Sequence, residues 1–419
     1  MFIRLRKPRI LVIGSALIDT VAERTTSTPL EESEPAKIIY SIGGSSYNIA
    51  VNLALERPRA GVVGLFSYLP PRATTTQLIL QRLRQLGVST RYIRQHEKVN
   101  EWTVTAGGFV AIRDKTDRNL FICGVEEIMG EHHLPVAPEE QRLLEGAVAG
   151  CRAVVLDTGL NPATIAQLMD LAARYSVPVF VHLVSLKKVA NYLQALEIFK
   201  SAQRSCPTLC LIGKAPELDA LHRELGASTG EGEVFVKRYM ASAAAGGEAA
   251  FAVDAICRRL QTKGILVTPK RTEDAYLLTA EPEGESRIHL GLKLPDSEKG
   301  NLLGVSEALA AAVIYQFCRQ SRWRRPRQGI DLEKIGAQVN ETARKFCQRV
   351  VNSLGATPLS VISRESDADM VDVPLAVKLR RWSDMAYSFT TIVTVVWFAA
   401  SLLGLLIGFK IYHPRLGGP

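Results

Sequence analysis

The sequence predicts an α/β protein in which a mainly parallel sheet is covered by helices on both faces, followed by one C-terminal transmembrane helix. Three observations predict this. Short continuous apolar runs end at glycine or a polar residue, they alternate with helical patterns from residue 153 to 225, and an uncharged apolar stretch lies near the C-terminus. Runs without inside/outside alternation suit strands buried on both faces, and repeated strand–helix units supply the cover.

Ile10 to Gly14 (ILVIG) is the first such run. Residues 25–37 are polar and contain proline, so a loop is expected there. In IIYSIGGSSYNIAVNLAL a Gly-Gly turn directly precedes a helical pattern over Asn48 to Leu55. Gly61 to Ser67 reads as a strand, Thr76 to Leu86 as an amphipathic helix, and Thr103 to Ile112 with Asn119 to Cys123 as a strand pair. Strands at Ala153 to Asp157, Val177 to His182 and Leu209 to Ile212 then alternate with helices at Pro162 to Tyr175, Ala190 to Lys200 and Pro216 to Leu225. Gly264 to Thr268 and Ala275 to Thr279 continue the sheet, Gly304 to Gln316 is an alanine-rich helix suited to close packing, and Ile335 to Leu354 is a last helix. Between these helices lies RQSRWRRPR, residues 319–327. It is either a solvated connection or a grip for an anion, and a membrane span in the same chain favours lipid headgroups or an acidic partner over RNA.

From Phe389 to Phe409 the chain reads FTTIVTVVWFAASLLGLLIGF, without a charged residue. At about 1.5 Å per residue it spans a hydrocarbon core of about 30 Å. Lys378, Arg380, Arg381 and Trp382 precede it, and Lys410, Tyr412, His413 and Arg415 follow, placing cationic and aromatic residues at both interfaces. The expected organisation is a domain over 8–360, a linker over 361–385, a transmembrane helix over 386–411 and a short tail over 412–419. The N-terminus MFIRLRKPRI has no separate apolar core and does not read as a secretory signal. The expectation is therefore a single-pass C-terminal anchor with the bulk domain cytoplasmic or in the mitochondrial matrix.

Composition agrees with this organisation. The 419 residues are 47% hydrophobic and 22% charged, which excludes a disordered or fibrous chain. The mean hydropathy of +0.07 is high for a soluble protein, and the span accounts for it. The formal charge of +9 is mild, and no nucleic-acid motif of recognisable spacing accompanies it. A bilayer and other membrane-protein subunits are thus expected as partners, and nucleic acid is not. The seven cysteines (Cys123, Cys151, Cys206, Cys210, Cys257, Cys318, Cys347) form an odd set without framework spacing, which suits a reducing compartment. Cys206 and Cys210 have no second pair at zinc-ribbon spacing and read as structural thiols.

The order and spacing of VIGSALID, GGSSYNIAVNLA, RQLGV at 84–88, VPVFVHLVSLKK at 177–188, KAPELDAL at 214–221 and NLLGVSEAL at 301–309 resemble the ribokinase, or PfkB, family of sugar and nucleoside kinases, with the pseudouridine kinase branch nearest. The resemblance covers about residues 8 to 360. It implies a doubly wound α/β domain with a small β lid, the lid falling in the early polar loop plus residues 101–123. It also implies that Asp19, Gly43, Gly44 and Asn48 bind the sugar: a carboxylate accepts from two hydroxyls, and glycines let the backbone approach the ring.

On the phosphoryl-transfer side the resemblance is damaged. Where the family carries Gly-Ala-Gly-Asp, whose N–H groups form an anion hole and whose aspartate takes the sugar proton, this chain has Gly304, Val305, Ser306 and Glu307. Val305 adds bulk, a left-handed backbone at Ser306 would be strained, and Glu307 reaches about one methylene further; a displacement of about 1 Å in a catalytic group costs about a hundredfold in rate. The family's Pro-Asn-x-x-Glu near magnesium becomes Gly213, Lys214 and Glu217, leaving Glu217 as the remaining metal candidate. The Thr-Leu-Gly-x-x-Gly cradle becomes TPKRTEDA at 268–275, and the Gly-Asp-x-x-Gly turn is absent from SYLPPRATTT at 67–76. The expectation is a membrane-tethered pseudokinase, without a cofactor, serving as a structural or accessory subunit of a membrane complex, such as a respiratory one. The alternative is an active, anchored sugar or nucleoside kinase using Mg-ATP.

Overall fold

The structure is a computed structural model. It describes residues 9–24, 36–56, 63–71, 73–95, 108–113, 119–124, 128–131, 133–135, 137–200, 207–224, 257, 262, 264–268, 275–281, 284–290, 304–319 and 338–347 except 340 and 344. The chain divides into two units, Met1–Ser363 and Arg364–Pro419, and every described residue belongs to the first. The linker, transmembrane and tail segments, Cys206, residues 269–274 and the arginine cluster beyond Arg319 lie outside the described residues. Among the described residues no helix is long and apolar enough to cross a membrane.

In chain order the elements are β1 (Ile10–Ile13), β2 (Leu17–Arg24), β3 (Ala36–Gly43), α1 (Ser45–Glu56), β4 (Val63–Leu69), α2 (Thr74–Gln85), β5 (Ile93–Gln95), β6 (Gly108–Arg113), β7 (Asn119–Gly124), α3 (Ile128–Glu131), α4 (Pro138–Val148), β8 (Ala153–Asp157), α5 (Pro162–Arg174), β9 (Val179–His182), α6 (Val189–Lys200), β10 (Thr208–Lys214), α7 (Ala215–Glu224), β11 (Gly264–Thr268), β12 (Ala275–Glu281), β13 (Gly284–Leu290) and α8 (Val305–Arg319). The large sheet has nine strands in the order β13-β12-β11-β10-β9-β8-β1-β4-β5. The seven strands from β11 to β5 run parallel, and the β12–β13 hairpin extends the β11 edge antiparallel.

Alternate residues of β1 feed two separate cores. Ile10 and Val12 pack with α1, α2, α8 and the helical residues at 339–347. Leu11 and Ile13 pack on the other face with α4, α5, α6 and α7. This three-layer arrangement explains why the central strands read as unbroken apolar runs: neither face of the sheet meets water, and a fully buried Leu or Ile contributes about 1.5–3 kcal/mol. Buried Ala308, Ala310, Ala311 and Ala312 leave α8 slim where it packs with α1.

A second sheet of four strands, in the order β3-β2-β6-β7, is built from the segments where a small β lid is expected. Its own small core is Val21, Ile39 and Ala111, with Phe109 packed on it. Strands β2 and β3 flank the early polar segment, so the strand content there exceeds what the sequence predicts. Helix α4 and strand β13 are likewise additions. Helix α4 begins with Pro138 and closes its start through the Ala137 N–H, which donates to Glu140 Oε2 at 3.2 Å.

Candidate functional site

The chain leaves β1 toward β4 and β5 on one side, then returns to β8 and continues outward through β9, β10 and β11 on the other. This reversal makes the carboxyl ends of β1 and β8 a topological switch point, the position at which open α/β sheets bind ligands. The ends of these strands carry the polar residues of the site.

Asp157, the last residue of β8, is buried and organises the switch point. Its Oδ2 accepts from the Ser15 N–H at 3.2 Å, the Ser45 hydroxyl at 2.9 Å and the Ser46 hydroxyl at 2.7 Å. Its Oδ1 accepts from the Gly159 N–H at 3.0 Å. Ser45 and Ser46 open α1, so an acidic group sits at a helix N-terminus, where the helix dipole favours it.

Beside it lie the residues expected at a sugar. Asp19 of β2 faces Gly43 of β3 so closely that any side chain at 43 would overlap its carboxylate. Gly44 has φ +96°, and a Cβ there would sit 2.6 Å from the Ser15 carbonyl oxygen, so only glycine makes the turn into α1 without strain. Asn48 is 5% exposed and its Oδ1 has no hydrogen-bond partner among the described residues. Asn48 follows the Gly43–Gly44 turn by one helical turn, its N–H donating to the Gly44 carbonyl at 2.9 Å.

The second cluster lies at the ends of β9, β10 and β11, against the first turn of α8. Gly304 carries φ +84° and Ser306 is helical. The expected strain at Ser306 is therefore absent: the left-handed residue is Gly304, two positions earlier, and among the described residues Ser176 alone of the non-glycines has positive φ. Val305 is buried within the α1–α8 core. The Ser306 hydroxyl is hydrogen-bonded to the Thr268 hydroxyl at 2.9 Å and lies 3.4 Å from His182 Nε2. His182 is 3% exposed, and its Nδ1 has no hydrogen-bond partner among the described residues. Asp157, His182 and Thr268 were not expected as site residues. Each is a polar residue closing an apolar strand, a signal that gains meaning only when the strand order brings those ends together.

Glu217 is buried on the first turn of α7. Its Oε2 accepts from the Lys214 N–H at 2.8 Å, half of a capping box in which the third helical residue reaches back to the N-cap. Burial pushes the Glu217 carboxyl above the ordinary carboxylate range; the Lys214 charge, its N–H and His182 pull it down, and Glu307 raises it further. Glu307 stands on the first turn of α8 and is partly buried. Because folded Glu217 holds its proton more tightly than unfolded Glu217, stability falls as pH rises from 4.5 through the raised folded value. Glu217→Gln, which keeps the acceptor for the cap, should flatten that fall, read as the difference between variant and parent melting temperatures across the same pH range.

These residues fit a magnesium ion poorly. One Glu217 oxygen is committed to the cap, a lysine replaces the asparagine of the resembled motif, and its charge beside Glu217 repels a divalent cation. Among the described residues no group of three His, Cys, Asp or Glu side chains is placed to hold a metal. The thiols lie apart from this chemistry: Cys151, Cys210, Cys257, Cys318 and Cys347 form no disulfide among the described residues. Burial pushes the Cys347 thiol up to about 12 and raises that of Cys210 also, which keeps both unreactive.

No family model and no curated protein sequence matches the chain. Solved structures do. The ribokinase of Arabidopsis thaliana, complexed with ribose and ATP, superposes with a TM-score of 0.57 at 18% identity over 84% of this chain and 96% of that one. The ribokinase of Cryptococcus neoformans in complex with ADP gives 0.58 at 15% over 84% and 97%. The adenosine kinase of Sinorhizobium meliloti gives 0.58 at 15% over 84% and 96%. The fold is ribokinase-like. Within this ribokinase-like fold the switch-point cluster of Asp19, Gly43, Gly44, Asn48 and Asp157 and the strand-end cluster of His182, Glu217, Thr268, Ser306 and Glu307 are both built at the carboxyl edge of the sheet.

Proposed function

We propose that the protein is a ribokinase-fold pseudokinase, held in a membrane by its C-terminal apolar segment and serving as a structural or accessory subunit of a membrane protein complex. The observation that carries this reading is that Ser306, Val305 and Glu217, three of the residues at the phosphoryl-transfer positions, are engaged in internal contacts. Ser306 is engaged with Thr268 near His182, Val305 belongs to the core, and Glu217 caps α7. Catalysis of phosphoryl transfer is positioning plus electrostatics, and side chains already engaged elsewhere supply neither. The bulk domain is proposed to lie on the cytoplasmic or matrix side, which the odd set of seven cysteines without framework spacing supports. Small residues Ala399, Ala400, Ser401 and Gly404 offer the span a surface for packing on a neighbouring helix.

The active-kinase reading draws support from the sugar side, where Asp19 lies against Gly43 and Asn48 Oδ1 lacks a donor among the described residues. A single preparation separates the two. The full chain in mild detergent, given Mg-ATP with ribose or pseudouridine, is expected to form no sugar phosphate and to migrate in a complex larger than one chain. Phosphorylation that Glu307→Gln abolishes would refute the pseudokinase, and a monomer in native membranes' extract would refute the subunit.

A further inference from the structure

Charge in the first unit is polarised along the strands. The acids Asp157, Glu217 and Glu307 stand at the carboxyl edge of the large sheet, and arginines stand at its amino edge. Arg9 directly precedes β1 and Arg152 directly precedes β8, the Arg152 N–H donating to the Arg9 carbonyl at 2.6 Å. The Arg152 guanidinium donates to the Cys318 carbonyl at 3.0 Å, beside Arg319, the last residue of α8. Arg84, on the last turn of α2, donates to the Thr90 hydroxyl at 3.3 Å; the neighbouring Ser89 N–H meets the Val63 carbonyl, at the start of β4, at 2.8 Å. All four arginines are exposed, and none has an acidic partner among the described residues. A helix C-terminus favours cations, which accounts for Arg84 and Arg319. Arg9 and Arg152 precede strands, where no helix dipole asks for them. The sequence adds charge at the same points: residues 1–9, 57–62 before β4 and 319–327 after α8 hold Lys and Arg without a single Asp or Glu.

Resting on the membrane-held reading, we propose that this amino edge is a docking surface for an anionic lipid bilayer, which leaves the carboxyl edge and its site facing away from the lipid. Guanidinium groups pair with lipid phosphates and carboxylates through two parallel hydrogen bonds. A bilayer fits this edge better than a nucleic acid or an acidic subunit does. The arginines are spread over the ends of separate elements, and the same chain carries the uncharged stretch Phe389 to Phe409 with cations on both flanks. A span holds the domain beside a bilayer, so a weak surface contact acts at high effective concentration. Each cation near an anionic surface raises attachment by about fivefold, and a few together orient a tethered domain.

The test uses the full chain reconstituted into vesicles of phosphatidylcholine, alone or with phosphatidylserine at about one lipid in three. Cys151 and Cys318 are partly exposed beside Arg152 and Arg319. Their rates of labelling by a membrane-impermeant maleimide, read by peptide mass spectrometry, therefore report coverage of the edge. Phosphatidylserine is expected to slow both by about fivefold or more at low salt, and about 0.5 M salt should remove the effect. The combined variant Arg9→Gln, Arg152→Gln, Arg319→Gln should label equally fast in both lipids, and the corresponding Lys variants should keep the slowing, with melting temperatures near the parent's. Equal rates for the parent chain in the two lipids, a comparison that needs no variant, overturn the proposal, as does slowing that survives high salt. Slowing by polyuridylate but not by phosphatidylserine would assign the edge to RNA, and slowing only in native membranes would assign it to an acidic subunit; either overturns it. A parent chain that alkaline carbonate strips from the vesicles would instead overturn the membrane-held reading, so the two failures are separately visible.

Discussion

Asp157→Ala is expected to lower the stability of the folded chain by about 3–5 kcal/mol, the largest loss of any single polar substitution in the site. The carboxylate satisfies two backbone N–H groups, of Ser15 and Gly159, and two hydroxyls, of Ser45 and Ser46. Each bond to a charged acceptor is worth about 1.5–3 kcal/mol, and each donor left buried and unpaired costs about 1–3 kcal/mol, partly recovered where water enters. A domain of this kind unfolds at about 5–15 kcal/mol, so the loss is a large fraction of the total. Asp157→Asn separates shape from chemistry. Its amide nitrogen would face donors on one side, so the variant should recover less than half the loss. Ser46→Ala removes one hydroxyl and should cost about 1–1.5 kcal/mol. Urea titration of the three variants in detergent reads the order; an alanine variant as stable as the parent would show that Asp157 does not hold β1, β8 and α1 together.

The prominence of Asp157 shows where sequence reading succeeds and where it stops. The strand Ala153–Asp157 is predicted to the residue because five consecutive buried positions leave an unbroken apolar signal. The same holds for Gly264–Thr268, and the helices α5 and α6 differ from expectation by one residue at an end. The lid is harder. Its strands β2 and β3 have one partly exposed face, as at Ile38 and Tyr40, so their composition resembles a loop with scattered apolar residues. Helix α4 hides similarly, with only Leu144, Ala147 and Val148 buried.

The site is legible to the extent that it rests on local geometry. Gly43 and Gly44 announce a backbone turn, and the turn is there, pressed against Asp19 and Ser15. The partners of Ser306 are not local: Thr268 is 38 residues away and His182 is 124. No spacing rule links them, because the link is the order of strands in the sheet. Glu217 illustrates a third case. A glutamate at the third position of a helix reads equally as a metal ligand or as a cap, and the Lys214 N–H at 2.8 Å decides that capping is part of its role.

Ending the chain at Ser363, the boundary of the first unit, is expected to move the protein from the membrane to the soluble fraction, while the full chain resists alkaline carbonate. On an insertion scale Leu, Ile, Val and Phe each favour the bilayer by about 0.3–0.6 kcal/mol at the centre of a span, and a single Lys, Arg or Asp opposes it by about 2.5–3.5 kcal/mol. From Phe389 to Phe409 the chain holds a dense set of the first kind and none of the second, so insertion without help from a partner is the expected outcome. The arginines at 319–327 are a competing source of attachment, and they survive the truncation. Their hold on anionic lipid is electrostatic and screened within about 8 Å at physiological salt, so it should yield to a salt wash that leaves an inserted helix in place. A truncated chain that stays bound in low salt and leaves in high salt would therefore assign a second, peripheral contact to the arginine cluster. A truncated chain that survives both salt and carbonate would remove the anchor from residues 386–411 altogether.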